Sequence, residues 1–217
     1  MKIRLFYTEI PFWRAEVSRL ALYIGNIDFE DVRMTWREDF DTMIETGKLP
    51  YGVTSPFRQI PVMEVDGQVV GQTGGIARFC GKLSGLYPKN DDILAAQIDQ
   101  ILDAAPDISN LVGLTMREKE PGKKKLARQK LSEETLPKWF GYLENLLKEN
   151  KSSEWFAGDI MSIADLAIWR LLGWIISGKL EHILTTLMDT FPYLTKLYTN
   201  VDSHPKVHEW MLLKYSN

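Results

Sequence analysis

The chain is poor in the residues that build metal and redox sites. Among its 217 residues there is one cysteine, Cys80, and there are three histidines, His182, His204 and His208. A lone cysteine excludes an intramolecular disulfide, a cysteine-built metal site and a paired redox centre. The histidines are too scattered for a zinc cluster, so no metal is expected. An excess of one charge is also missing. The 26 basic and 29 acidic residues leave a net charge of −3, and no nucleic-acid partner is expected. Long apolar runs are lacking too. The longest, Leu166 to Ile176, is interrupted by Arg170 and is too short to span a bilayer, so it reads as a buried helix and no membrane partner is expected. The opening Met1-Lys2-Ile3-Arg4-Leu5-Phe6-Tyr7 carries charges inside its apolar run, unlike a targeting segment. With the unpaired Cys80, this gives the expectation of a cytoplasmic protein.

What is present is the composition of a globular protein, 45% hydrophobic and 25% charged. The pattern changes along the chain. Ile3, Leu5 and Tyr7 alternate with Lys2, Arg4 and Phe6 at the period of a strand. Val17, Leu20, Ala21 and Ile24 repeat at helical spacing, and Gly25-Asn26 stops that helix. Asp28 to Thr35 reads as a second strand. Asp66-Gly67, between Val62-Met63-Glu64-Val65 and Gln68-Val69-Val70, is a hairpin signal. Ile76, Phe79, Cys80 and Leu83 make one stripe of a further helix. The order is β-α-β-α-β-β-α, with the first two strands parallel and the hairpin antiparallel. Turn residues from Ser84 to Asn90 read as a linker.

Beyond the linker the signals are helical. Ile98, Ile101, Leu102 and Ala105 form one stripe, and Leu136, Phe140, Leu143 and Leu147 form another, with a kink expected at Pro137. Ser162-Ile163-Ala164-Asp165 is a capping-box signature. Lys123-Lys124-Lys125 has acidic neighbours and reads as a solvated face. The fold class expected is α/β plus all-α: a domain over residues 1–84, then an all-helical domain over 92–217.

The strand and helix order resembles a thioredoxin-like domain. Arg58-Gln59-Ile60-Pro61-Val62-Met63-Glu64-Val65-Asp66-Gly67, followed by Gly71-Gln72-Thr73, resembles the glutathione-binding half of cytosolic glutathione transferases. Arg14-Ala15-Glu16 with Arg19-Leu20 resembles that family's first helix, and Gly158-Asp159 with Ser162 to Leu166 resembles its helical-domain capping box. Within the family the chain is similar to the sigma group and its tyrosine-using relatives, which include glutathione-dependent prostaglandin D isomerases.

The resemblance implies an enzyme that binds glutathione as co-substrate, uses no cofactor, and conjugates the thiol to small apolar electrophiles. A free thiol ionises near pKa ~8.5 and the thiolate is the nucleophile, so a hydrogen bond donated to the sulfur favours reaction. Tyr7, at the end of the first strand, takes the family's tyrosine role. Thr8 is the alternative, because the loop to Arg14 is one residue longer than in the family and strict counting puts Thr8 in the tyrosine's register. Pro61 matches the family's cis-proline, which frees the Ile60 backbone to pair with the tripeptide. Gln72 and the Thr73 hydroxyl, at a helix start, match the carboxylate site. Arg14 falls near the glutamyl end, while Arg19 reads as structural. Trp36, Lys48 and Gln59 complete the glutathione set. Asp99, Asp103 and Asp107 share one helix face, and the resemblance gives Asp107 the ligand amine across a homodimer interface. Ile10, Phe12, Trp13 and Met116 are candidate walls of an apolar electrophile pocket between the domains, although residues of these types are more often core than pocket. Isomerisation of a prostaglandin endoperoxide is one alternative. A non-catalytic crystallin or scaffold protein on the same fold is the other.

Overall fold

In the first strand, β1 (Ile3–Thr8), every residue except the half-buried Arg4 is buried. A strand covered on both faces belongs in the middle of a sheet. The computed structural model, which describes residues 1–152 and 154–216, puts it there. The sheet runs β2 (Glu30–Met34), β1, β3 (Val62–Val65), β4 (Gln68–Gly71), with β2 parallel to β1 and the other pairs antiparallel. Helices α1 (Trp13–Ile24), α2 (Asp39–Thr46) and α3 (Thr73–Ser84) complete this βαβαββα unit. Asp66 and Gly67 both have positive φ, 48° and 85°, as a tight hairpin turn with the sheet's twist requires.

The two faces of the sheet have different covers. Phe6, Met34 and Val62 form one cluster with Met43 of α2 and with Leu49 and Val53 of the turn that follows it. Thr8, two residues beyond Phe6, shares that face. Tyr7 points the other way, towards α1. Two details differ from the sequence reading. The second strand is shorter than Asp28–Thr35. Leu83 is 37% exposed, and Ala77 fills the buried stripe of α3 instead.

The second unit, Asp91–His204, holds α4 (Asp92–Met116), α5 (Pro121–Lys130), α6 (Leu136–Glu149), α7 (Ile163–Ile175) and α8 (Pro192–Asp202). The expected stripes on α4 and α6 are buried throughout. Pro137 does not kink a helix in the way expected. Residues Leu131–Thr135 form a π-helical turn, and the Leu136 N–H donates to the carbonyl of Leu131. A proline ring crowds the carbonyl four residues back, and widening the turn just before it accommodates that clash. The run from Leu166 to Leu172 is a buried helix apart from Arg170, and no helix among the described residues is long and apolar enough to cross a membrane.

The last helix, α9 (Pro205–Tyr215), departs from the boundary read in the sequence. It groups with the first unit, Met1–Asn90, and not with the helices that precede it. The reason is a buried acceptor. Trp210 Nε1 and the Tyr215 hydroxyl both donate to Glu16 of α1, whose side chain is fully buried.

The capping box forms as the sequence indicates. The Ser162 hydroxyl accepts from Ala164 N–H, and Asp165 Oδ2 accepts from Ser162 N–H at 2.7 Å and from its hydroxyl at 2.8 Å. Asp165 Oδ1 takes the Phe156 N–H at 2.9 Å, which also ties down the incoming loop. Burial pushes this carboxyl up to about 6, against the pull of those donors. The folded state therefore takes up a proton before the unfolded chain does as pH falls. Its contribution is present below the ordinary value of 3.8 and is lost as pH rises through about 6. In urea unfolding from pH 4 to 7, the wild type should lose about 2–3 kcal/mol relative to Asp165→Asn. A difference that stays flat with pH would contradict this.

Candidate functional site

The strand register gathers one end of the sheet. Phe6 lies opposite Val62, Val62 opposite Gly71, and Thr8 opposite Met34. The segments leaving that end therefore bring Tyr7 and Thr8, the Ile60-Pro61 pair, Trp36 and the start of α3 to a common edge. Most of the residues assigned to glutathione lie here, and the strand order alone puts them together.

Tyr7 is 6% exposed. Burial is the main influence on its phenol and pushes it up to about 12, while the nearby Arg14 and Arg19 guanidiniums pull it down. At neutral pH it is a protonated hydroxyl and hence a hydrogen-bond donor. The Arg19 guanidinium lies 5.8 Å from its ring centre. Arg14 is half-buried at the start of α1 and stacks over Trp13 at 5.0 Å. Thr8 is completely buried, and its hydroxyl has no hydrogen-bond partner among the described residues.

The Ile60–Pro61 peptide bond is cis. Just before it, the Ser55 hydroxyl donates to the Gln59 carbonyl at 2.9 Å and accepts the Gln59 N–H at 3.1 Å. One buried hydroxyl thus fixes the Gln59 backbone while the Gln59 side chain stays exposed. Ser55 has no motif around it that would have marked it in advance.

Gln72 precedes α3 with φ 72° and ψ 130°, a region that an L residue adopts only under constraint. Its side chain is exposed, and Thr73, the first residue of the helix, is 7% exposed. The first N–H groups of a helix lack partners within it and favour an anion. Gly74 follows, and a Cβ there would come within 2.9 Å of the Arg78 guanidinium. The glycine thus leaves room for the arginine one turn on.

The remaining residues are more dispersed. Trp36 is 51% exposed, lies two residues past β2 and packs on Phe40 at 4.9 Å. Lys48 is exposed, and its Nζ donates to the Thr54 hydroxyl at 2.8 Å. Asp107 sits on an exposed face of α4, and Met116, the last residue of that helix, is 54% exposed. Of the proposed pocket walls in the first unit, Ile10 is 41% exposed and Phe12 half-buried. Trp13, at 1%, is core and offers no open wall. Among the described residues no cluster of histidine, cysteine or carboxylate has the makings of a metal site. Cys80 is buried, and burial pushes its thiol up to about 12, which suits packing and not nucleophilic attack.

Sequence reasoning reached Arg19 as a structural residue but missed what surrounds it. Arg19 and Glu16 are fully buried side chains and pair at 3.2 Å. Arg19 also pairs with Asp31 at 2.8 Å and donates to the Thr8 carbonyl at 2.9 Å. The spacing of Glu16 and Arg19, three apart on one helix, was a signal of the pair. The partners from β2 and α9 left none.

A four-stranded thioredoxin-like unit, followed along the chain by a helical unit, defines the fold class. The profile for "Glutathione S-transferase, C-terminal domain" matches residues 106–212. Human glutathione S-transferase A2 is 26% identical over 210 residues, covering 97% of this chain and 88% of that protein. S-crystallin SL11 of Nototodarus sloanii is 26% identical over 201 residues, covering 89% and 88%. The structure of prostaglandin synthase D of Nilaparvata lugens superposes with a TM-score of 0.80 at 26% identity, covering 97% of each chain. Residues 106–212 thus match the C-terminal domain of glutathione S-transferases, and the chain as a whole is similar to members of that family.

The backbone at Gln72 gives a test of the site independent of catalysis. Gln72→Gly relieves the positive φ, so urea unfolding should show the protein stabilised by about 1 kcal/mol. Loss of stability would show that this backbone is unstrained.

Proposed function

We propose that this protein is a tyrosine-type, sigma-like glutathione transferase, in which Tyr7 donates its hydroxyl hydrogen bond to the thiolate of bound glutathione. The observation that carries the reading is the buried, protonated phenol beside Arg14 and Arg19, at the sheet end that also holds Ile60, Pro61, Gln72 and Thr73. A phenol held near 12 does not take the thiol's proton at neutral pH. It stabilises the anion, and the proton leaves to solvent. The Arg14 guanidinium adds positive charge nearby, whereas that of Arg19 is balanced by Glu16 and Asp31. The thiolate then attacks an apolar electrophile by addition or substitution.

In this proposal Gln72 and Thr73 hold the glutamyl carboxylate. Arg14 lies near the glutamyl end, and the Ile60 backbone pairs with the cysteinyl residue. Trp36, Lys48 and Gln59 hold the remainder. Asp107 reaches the ligand amine of the other subunit in a homodimer. Ile10, Phe12 and Met116 contact the electrophile. A cytoplasmic detoxifying role accords with this chemistry. The likeness to the Nilaparvata lugens prostaglandin synthase D supports a second reading, isomerisation of a prostaglandin endoperoxide by the same thiolate. The relationship to an S-crystallin makes loss of activity the alternative from outside enzymology.

Tyr7→Phe removes the donor and little else. The apparent pKa of the bound thiol should rise, and kcat with a model aryl halide should fall by about ten- to a hundredfold. KM for glutathione should change little. If Thr8→Ala gives this result and Tyr7→Phe does not, the donor is Thr8. If the wild type binds glutathione and conjugates nothing, the crystallin-like reading holds.

A further inference from the structure

Two arginines hold the carbonyls that follow Tyr7. Arg19, on α1, donates from Nη2 to the Thr8 carbonyl at 2.9 Å, and Arg33, on β2, donates from Nη1 to the Glu9 carbonyl at 3.4 Å. Asp31 bridges the pair: one oxygen accepts Arg19 Nε and the other accepts Arg33 Nε, each at 2.8 Å. A second bridge comes from the far end of the chain. The Tyr215 hydroxyl accepts from Arg19 Nη1 at 3.3 Å and from Arg33 Nη2 at 3.4 Å. It donates its own hydrogen to Glu16 at 2.7 Å. The Arg33 guanidinium also stacks on the Tyr215 ring, 5.0 Å from its centre.

We propose that Tyr215 is a positioning residue for Tyr7, acting through Arg19 and Arg33 on the backbone of Thr8 and Glu9. The inference rests on the reading of Tyr7 as the thiolate's donor. A guanidinium is a rigid fork, so fixing one edge of it aims the other. Arg19 is fully buried and spends its donors on Asp31, Glu16, Tyr215 and the Thr8 carbonyl. Removing the Tyr215 hydroxyl takes one acceptor from each arginine and one donor from Glu16. The arginines then settle differently, and the backbone they hold moves with them. Trp210 makes the contrasting contact. It docks the same helix on Glu16 and touches neither arginine through a hydrogen bond.

The test compares Tyr215→Phe with Trp210→Phe in the full-length protein, with two readouts. In the free protein, amide hydrogen exchange at Glu9, Ile10 and Phe12 should be about tenfold faster in Tyr215→Phe than in the wild type. With glutathione bound, ultraviolet titration of the thiolate should show its apparent pKa raised by about half a unit, with KM for glutathione within about twofold. Trp210→Phe should lower the melting temperature and leave both readouts at wild-type values. Wild-type exchange in Tyr215→Phe, or equal changes in the two variants, would overturn the proposal and leave Tyr215 as helix docking alone. The exchange measurement needs no glutathione. If the wild type forms no thiolate while the exchange difference stands, the glutathione reading fails and the anchoring of the Tyr7 segment survives.

Discussion

The buried pair of Glu16 and Arg19 is the contact on which the first unit is organised. Two charges sealed from water cost several kcal/mol of desolvation and are tolerated only with every donor and acceptor engaged. Here they are engaged from all sides. The helix supplies the pair, β2 supplies Asp31, α9 supplies Trp210 and Tyr215, and β1 supplies the Thr8 carbonyl. Losing either Glu16 or Arg19 would leave the other as a poorly compensated buried charge. That asymmetry is what fixes α1, β1, β2 and the chain's last helix in one arrangement.

The same arrangement sets the chemistry available at the sheet's edge. Tyr7 lies beside the pair and is closed off enough that its proton stays in place. A buried hydroxyl that keeps its proton is suited to stabilising a neighbouring anion and unsuited to general-base work. Around it, the antiparallel register aligns the cis-proline loop and the start of α3, so a peptide-like ligand would meet a strand edge, a helix terminus and a hydroxyl together. These are the ingredients for orienting a thiol and holding it ionised.

Much of this was legible in the sequence, because the informative signals are local. The hairpin at Asp66-Gly67, the capping box at Ser162 and the stripes on α4 and α6 each depend on residues close together in the chain. Gln59, Ile60, Pro61, Gln72 and Thr73 follow one another through a single supersecondary unit, so the family resemblance that singles them out is itself a local signal. What stayed hidden depends on distant partners. Nothing near Trp210 or Tyr215 announces that they dock some two hundred residues back, so the local pattern alone joins α9 to the helices before it, whereas it groups with the first unit. Ser55 holds Gln59 through one hydroxyl that no pattern marks. Pro137 was recognised as a disturbance, but whether a proline bends a helix or widens a turn depends on the packing around it. The choice between Tyr7 and Thr8 turned on an inserted residue, and strand alternation sends the two side chains to opposite faces of the sheet.

That opposition makes the central claim directly measurable. In a crystal structure of the glutathione complex, the account predicts the sulfur within hydrogen-bonding reach of the Tyr7 hydroxyl, with Thr8 turned away beneath the strand. A sulfur that contacts the Thr8 hydroxyl, or no hydroxyl at all, would contradict it.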